Sequence, residues 1–203
     1  MAIAGKLGAV YVQDVNAAPV AFVDEATTPD AALTRYQVTN PAYRYWAPDA
    51  AITVKKNGEV ITGGFVLERV GGYVVFAAPL LETDVVTVSG EALTMVQAGG
   101  LAKWSVETDA EHADATTFAS GGWKEFKQAG VSWSGSCEGF WGDELFFDGL
   151  GKVVALKLYA DQPAGLCFEG YALINGDGIK VQVNALVEES INFQGVGKLY
   201  PRW

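Results

Sequence analysis

The chain has 203 residues, half of them hydrophobic and 19% charged, which supports a packed core and excludes a disordered chain. Its formal net charge is −10 and no basic run occurs, which disfavours a groove that grips nucleic acid by neutralising phosphates. The opening residues, MAIAGKLGAVYVQD, lack the apolar core and cleavage site of a secretory signal. No stretch approaches the ~20 apolar residues of a membrane span, so no membrane partner is expected.

Nearly every segment reads as strand and turn. LGAVYV (Leu7 to Val12) is a first short strand. NPAYRYWAPDA follows, where Pro41 and Pro48 oppose regular pairing and Tyr43, Tyr45 and Trp46 are expected to cover one end of a β-module. AITVKKNGEVIT predicts a hairpin turning at Asn57-Gly58, whose positive φ angles suit a tight turn. GFVLERVGGYVVFAAP repeats the pattern around Gly71-Gly72, and DVVTVSG (Asp84 to Gly90) adds another strand. Residues 19–98 therefore read as an inserted small β-sandwich, and 1–18 with 99–203 as a discontinuous second domain.

LAKWSVETD alternates Trp104, Val106 and Thr108 against Ser105, Glu107 and Asp109, a half-buried strand with one acidic face. AEHADATTFASGG reads as a loop. In VSWSGSCEGFW, Val131, Trp133, Gly135 and Cys137 share one face, and Ser132, Ser134, Ser136 and Glu138 the other. Trp133 is expected to point inward. Trp104, Trp123, Trp133 and Trp141 are the candidate core or interface anchors. GDELFFDGLGK predicts one short helix capped by Asp143, with Phe146 and Leu150 on one face and Gly151 at its end. KVVALKLYAD, LCFEGYALI and IKVQVNALVEE are read as strands, the last two joined by a turn at NGDG, and INFQGVGKLY closes the chain. The fold class is mainly β: an antiparallel β-sandwich or partial barrel with one short helix, plus the inserted module.

Catalytic chemistry is not indicated. His112 is the sole His and sits in the acidic DAEHADA segment, so it reads as solvated. SWSGS has Ser where a nucleophile elbow needs its second Gly. GVGKLY lacks the third Gly and the helix of a dinucleotide fingerprint. No Cys or His cluster has metal-ligand spacing, and NGDG lacks a calcium loop's acidic ladder. No cofactor, metal or catalytic residue is assigned. Cys137 and Cys167 are too few for a disulfide framework and read as buried thiols made in a reducing cytosol.

The segment LAKWSVETDAEHADATTFASGGWKEFKQAGVSWSGSCEGFW resembles the central signature of the major tail tube proteins of long-tailed bacteriophages. A Trp-bearing strand leads through an acidic stretch to TTF, then to a GW-E-F step and a WSGS-EG strand. CFEGYALINGDGIKVQVNALVEESINFQGVGKL is similar to that family's ending, and GKLGAVYV to its first strand. The likeness spans about Met1 to Val15 and Leu101 to Leu199. The chain departs from the family's simpler members by an insertion of roughly eighty residues between the first strand and the Trp-bearing one.

The resemblance implies a virion protein made in the host bacterial cytoplasm. Hexameric rings would stack into a hollow tube that conducts DNA, with tape measure and tail terminator proteins as further partners. DNA would pass through the lumen without specific binding. On that reading Glu107, Asp109, Gln182, Asn184 and Glu188 are candidate lumen-facing residues; an outer solvated face is the alternative for each. The insert, entering and leaving at a surface connection, is expected on the outside of the tube. The alternative function is a carbohydrate- or surface-binding β-sandwich, for which Tyr43, Tyr45 and Trp46 would be the stacking residues.

Overall fold

The computed structural model describes residues 8–183 and 185–203, so the candidate Asn184 lies outside the described residues. The chain forms two compact units. One joins the residues up to Val10 with Ala98–Trp203, and the other is Tyr11–Gln97. The division falls inside the first strand, β1 (Ala9–Gln13), earlier than Pro19. The reason is pairing: the second half of β1, from Tyr11 to Gln13, is matched to Gln97, Val96 and Met95.

In the Tyr11–Gln97 unit the strands are β2 (Val20–Pro29), β3 (Arg35–Val38), β4 (Thr53–Lys56), β5 (Glu59–Ile61), β6 (Phe65–Glu68), β7 (Tyr73–Phe76), β8 (Val86–Ala92) and β9 (Met95–Gln97). Their order is β5-β4-β8-β2-β3-β7-β6, with β9 against β1. Asn57 and Gly58 take the positive φ angles, 53° and 84°, that a tight turn between β4 and β5 requires. β2 pairs first with β8 and then with β3, shifting register between Phe22 and Glu25. β2 leaves β8 after Ala26 and joins β3 from Thr27, so one strand serves both layers of a sandwich. Phe22, Val54, Val86 and Val88 thereby meet Tyr36, Val38, Val74 and Phe76.

Trp46 lies at the centre of that core, fully buried, and its indole N–H donates to the Tyr43 carbonyl at 2.7 Å. Tyr45 is buried too, and Tyr43 stacks on Phe22 with centroids 5.1 Å apart. These rings hold the sandwich together. Tyr45 and Trp46 offer no open ring face to a sugar, which corrects the stacking role considered for them.

The other unit contains β10 (Leu101–Asp114), β11 (Phe126–Phe140), α1 (Leu145–Asp148), β12 (Val153–Asp161), β13 (Leu166–Lys180) and β14 (Glu188–Arg202). The order is β10-β11-β14-β13-β12-β1. Its core draws Trp133 and Cys137 from β11, Val154, Leu156 and Leu158 from β12, Cys167, Ala172 and Ile174 from β13, and Ile191 and Phe193 from β14. The mainly β, antiparallel class with one short helix is as expected.

Three local expectations change. Ala110–Asp114 is strand rather than loop, so His112 is an exposed strand residue paired with Gln128. NGDG is not a turn: Asn175–Gly178 continues β13, and neither Gly176 nor Gly178 has a positive φ. The reversal falls instead between Lys180 and Glu188, which pair, so the described residues between them form a connection and not a strand. The helix is one turn long; Phe146 is buried, but Leu150 lies beyond it, exposed, bridged to Ile174. Asp143 receives the Leu145 N–H at 3.2 Å and the Gly99 N–H at 2.8 Å, tying the helix start to the chain that leads into β10.

Candidate assembly surface

The β10–β11 hairpin runs past the core that supports its base. Near Trp104 and Trp133 one face is packed: Trp133 is 4% exposed and donates its indole N–H to the Gly197 carbonyl at 3.0 Å. Trp104 is half-buried, donates to the Tyr159 carbonyl at 3.1 Å and meets Phe168 edge-on. Beyond them the support ends. No residue from Thr108 to Val131 is buried, although the two strands stay paired as far as Asp114 and Phe126.

The tip of this arm is ordered by short polar side chains. Thr117 caps a 3₁₀ turn, Phe118–Ser120, in a reciprocal capping box. Gly121 and Gly122 then take φ of 59° and 87°, and the Thr116 hydroxyl accepts the Glu125 N–H at 3.0 Å. The Thr116 hydroxyl and amide also hold Asp114 below the usual carboxylate range. With the backbone satisfied locally, Phe118 and Trp123 point into solvent; Trp123 is 81% exposed. Phe126 and Val131 are exposed below them. A two-stranded ribbon bare on both faces is marginal in isolation, and aromatic rings in water add to that cost.

A second exposed apolar group sits at the β13–β14 reversal, where Val181, Val183 and Leu186 are open. Trp141 is 46% exposed, and its backbone N–H donates to the Val187 carbonyl at 3.0 Å. Of the four candidate anchors, then, Trp133 is core, Trp104 half-buried, and Trp123 and Trp141 lie on the surface.

Opposite the core, β10, β11 and β14 form a polar face. Register sets Glu107 beside Ser134 and Ser134 beside Gln194; Ser105 beside Ser136 and Ser136 beside Asn192; and Asp109 beside Ser132. The Ser105 and Ser136 hydroxyls are 3.0 Å apart. Glu107, Asp109 and Glu111 follow one another on this side of β10, and none has an ion-pair partner among the described residues. Glu188 differs, because Lys180 lies 3.5 Å away. Gln182 is exposed in the reversal and not on a sheet face.

No protein-family model matches the chain, and no curated protein matches it. Solved structures are similar to part of it, two of them from gene transfer agent particles. One is a chain from the tail of an empty GTA particle, refined helically with C6 symmetry: 21% identity, 54% of this chain and 87% of that chain, TM-score 0.44. The other belongs to the virion of a native gene transfer agent particle: 20% identity, 54% and 89%, TM-score 0.43.

Among the described residues no group of three acidic, His or Cys side chains could hold a metal ion. The thiols are inert by burial, which pushes Cys137 up to about 12 and Cys167 up to about 11. Two acidic side chains missing from the candidates are buried. Glu169 sits between Lys157 at 3.1 Å and Arg202 at 3.0 Å. Glu189 faces inward on β14, and the alternation Glu189, Ile191, Phe193 in the sequence is the signal that places it there. Nothing comparable marks Phe118 as exposed, since its orientation comes from the capped tip.

Proposed function

We propose that this chain is a structural virion protein, the subunit of a bacteriophage-type tail tube, and that its β10–β11 arm is the joint to a neighbouring copy. The observation that carries the reading is the arm itself. It is well hydrogen-bonded, buries nothing against its own chain from Thr108 to Val131, and presents Phe118, Trp123, Phe126 and Val131 outward. Burial of those side chains against a second copy would contribute roughly 1.5–3 kcal/mol each. The long outer edge of β10 has the same need, since an unpaired edge is a template for another strand. Closing sheets from successive subunits into one barrel answers both, and hexameric rings are what the sequence resemblance implies.

In that assembly the polar face of β10, β11 and β14 is the wall past which DNA slides. Glu107, Asp109 and Glu111 supply uncompensated negative charge, and Ser and amide side chains supply the rest. A wall of Lys and Arg would take up phosphates with release of counterions and hold the DNA in place. An acidic, hydroxylated wall repels weakly and evenly. Glu188 contributes little to this field because Lys180 is beside it.

Arm variants supply the test. Trp123→Ser combined with Phe118→Ser should leave the melting temperature of the dissociated chain within about a degree, because both rings are already in water. The same variant should lose assembly in sedimentation velocity and electron microscopy. Assembly at parental concentration would exclude the arm as the joint.

A further inference from the structure

We propose that Asp177 and Glu189 form a proton-sharing carboxyl pair, which holds the α1 segment against the sheet while one proton is bound and loosens it when that proton leaves. Glu189 is 4% exposed. Register sets Ile179 opposite Glu189 and Asp177 opposite Ile191, so both carboxyls lie on the core side of the β13–β14 ladder, one diagonal step apart. Both oxygens of Asp177, and Oε1 of Glu189, are buried with no donor reaching them. A carboxylate only accepts, so two of them side by side cannot satisfy each other. A proton on one makes it a donor to the other, and the orphaned oxygens are then accounted for.

The surroundings reinforce this. From β11 the facing groups are Cys137, held as a neutral thiol, and Gly139. From the segment leading into α1 comes Asp143, fixed as an acceptor by the Gly99 and Leu145 N–H groups. Lys103 and Lys180 lie on the opposite side of the ladder and are engaged: Lys103 with Glu138 at 2.7 Å, Lys180 with Glu188 at 3.5 Å. Burial first, then the Asp177 and Asp143 charges, push Glu189 up to about 7, and burial raises Asp177. Losing the shared proton would leave Asp177 and Glu189 both negative with their oxygens buried, and the Asp143 charge acts on Glu189 as well. The Asp143 anchor, and with it the α1 segment, is what that repulsion would strain.

The sign follows from linkage. Between Glu189's ordinary 4.5 and its folded value of about 7, the folded chain holds a proton that the unfolded chain has released. Stability from this group is therefore full below the lower value, falls as pH rises through that window, and levels off above it.

The test is a carboxyl-carbon NMR titration of the full chain, with melting curves from pH 5 to 8.5 for the parent, Glu189→Gln and Asp177→Asn. We expect Glu189 to titrate near neutrality. We expect the parent's melting temperature to fall across the window and Glu189→Gln to be flatter, melting above the parent at pH 8.5. Protection factors of the 143–149 amides, corrected for the intrinsic rise of exchange with pH, should fall as pH rises in the parent and not in Glu189→Gln. Titration of Glu189 near 4.5, or parallel melting curves, would overturn the pair. So would a rise in parental melting temperature at pH 8.5 with calcium or magnesium that Glu189→Gln abolishes, because the carboxyls would then be a cation site.

Discussion

The backbone N–H of Ala98 donates to the carbonyl of Val10 at 2.9 Å, so the points where the chain leaves and re-enters its C-terminal unit are bonded to each other. A unit whose ends meet in this way tolerates removal of what lies between them. Replacing Tyr11–Gln97 with a short Gly-Ser linker should give a folded protein with the near-native strand content of the remaining unit. Circular dichroism and a cooperative melt would check it. If the insert is an appendage in the assembly, as we propose, the excised protein should still assemble.

The Trp133 indole lies against Gly170 and Gly195. A Cβ added at Gly170 would stand 2.6 Å from Trp133 Cζ2, and one added at Gly195 would overlap the ring outright. Gly195→Ala should therefore cost roughly 1–3 kcal/mol through overpacking. Trp133→Ala should cost about 3–5 kcal/mol through the cavity it leaves. Urea titration measures both, and the double variant should cost less than the two added, since the alanine methyl then has room.

Glu169 neutralises two cations inside the sheet. Glu169→Ala would remove the buried carboxylate that lies between Lys157 and Arg202, costing about 3 kcal/mol. The carboxylate of Glu138, exposed beside Lys103, should cost less than about 1 kcal/mol when replaced by Gln. Equal losses from the two substitutions would mean that the buried triad has no special weight.

Burial of both thiols makes a chemical prediction. Native protein at pH 8 should resist iodoacetamide at Cys137 and Cys167 for hours, while denatured protein should be labelled at both within minutes. Intact-mass spectrometry reads the result.

Much of this was legible in the sequence because it rests on short-range rules. Period-two alternation placed Trp133 and Cys137 on the core face of β11, and Asn57-Gly58 located a turn by its φ requirement. The failures share a cause, which is that strand length is decided by the partner. Ala110–Asp114 looked like a loop from its composition, yet β11 pairs with it. Ile179 to Val187 alternated as a strand should, yet the ladder ends at Lys180 and Glu188, leaving Val181 and Val183 exposed. The candidate wall residues fared unevenly for the same reason: Glu107 and Asp109 lie on one strand face, while Gln182 falls in the reversal.

Negative-stain electron microscopy of the purified chain, concentrated at neutral pH, decides whether it is a tube subunit. Hollow tubes of stacked rings are expected, and in a higher-resolution map of them the Thr108–Val131 arm contacts a neighbouring copy while Glu107 and Asp109 face the channel. A protein that stays monomeric at high concentration, or tubes with a basic lumen and the arm in solvent, would contradict that reading.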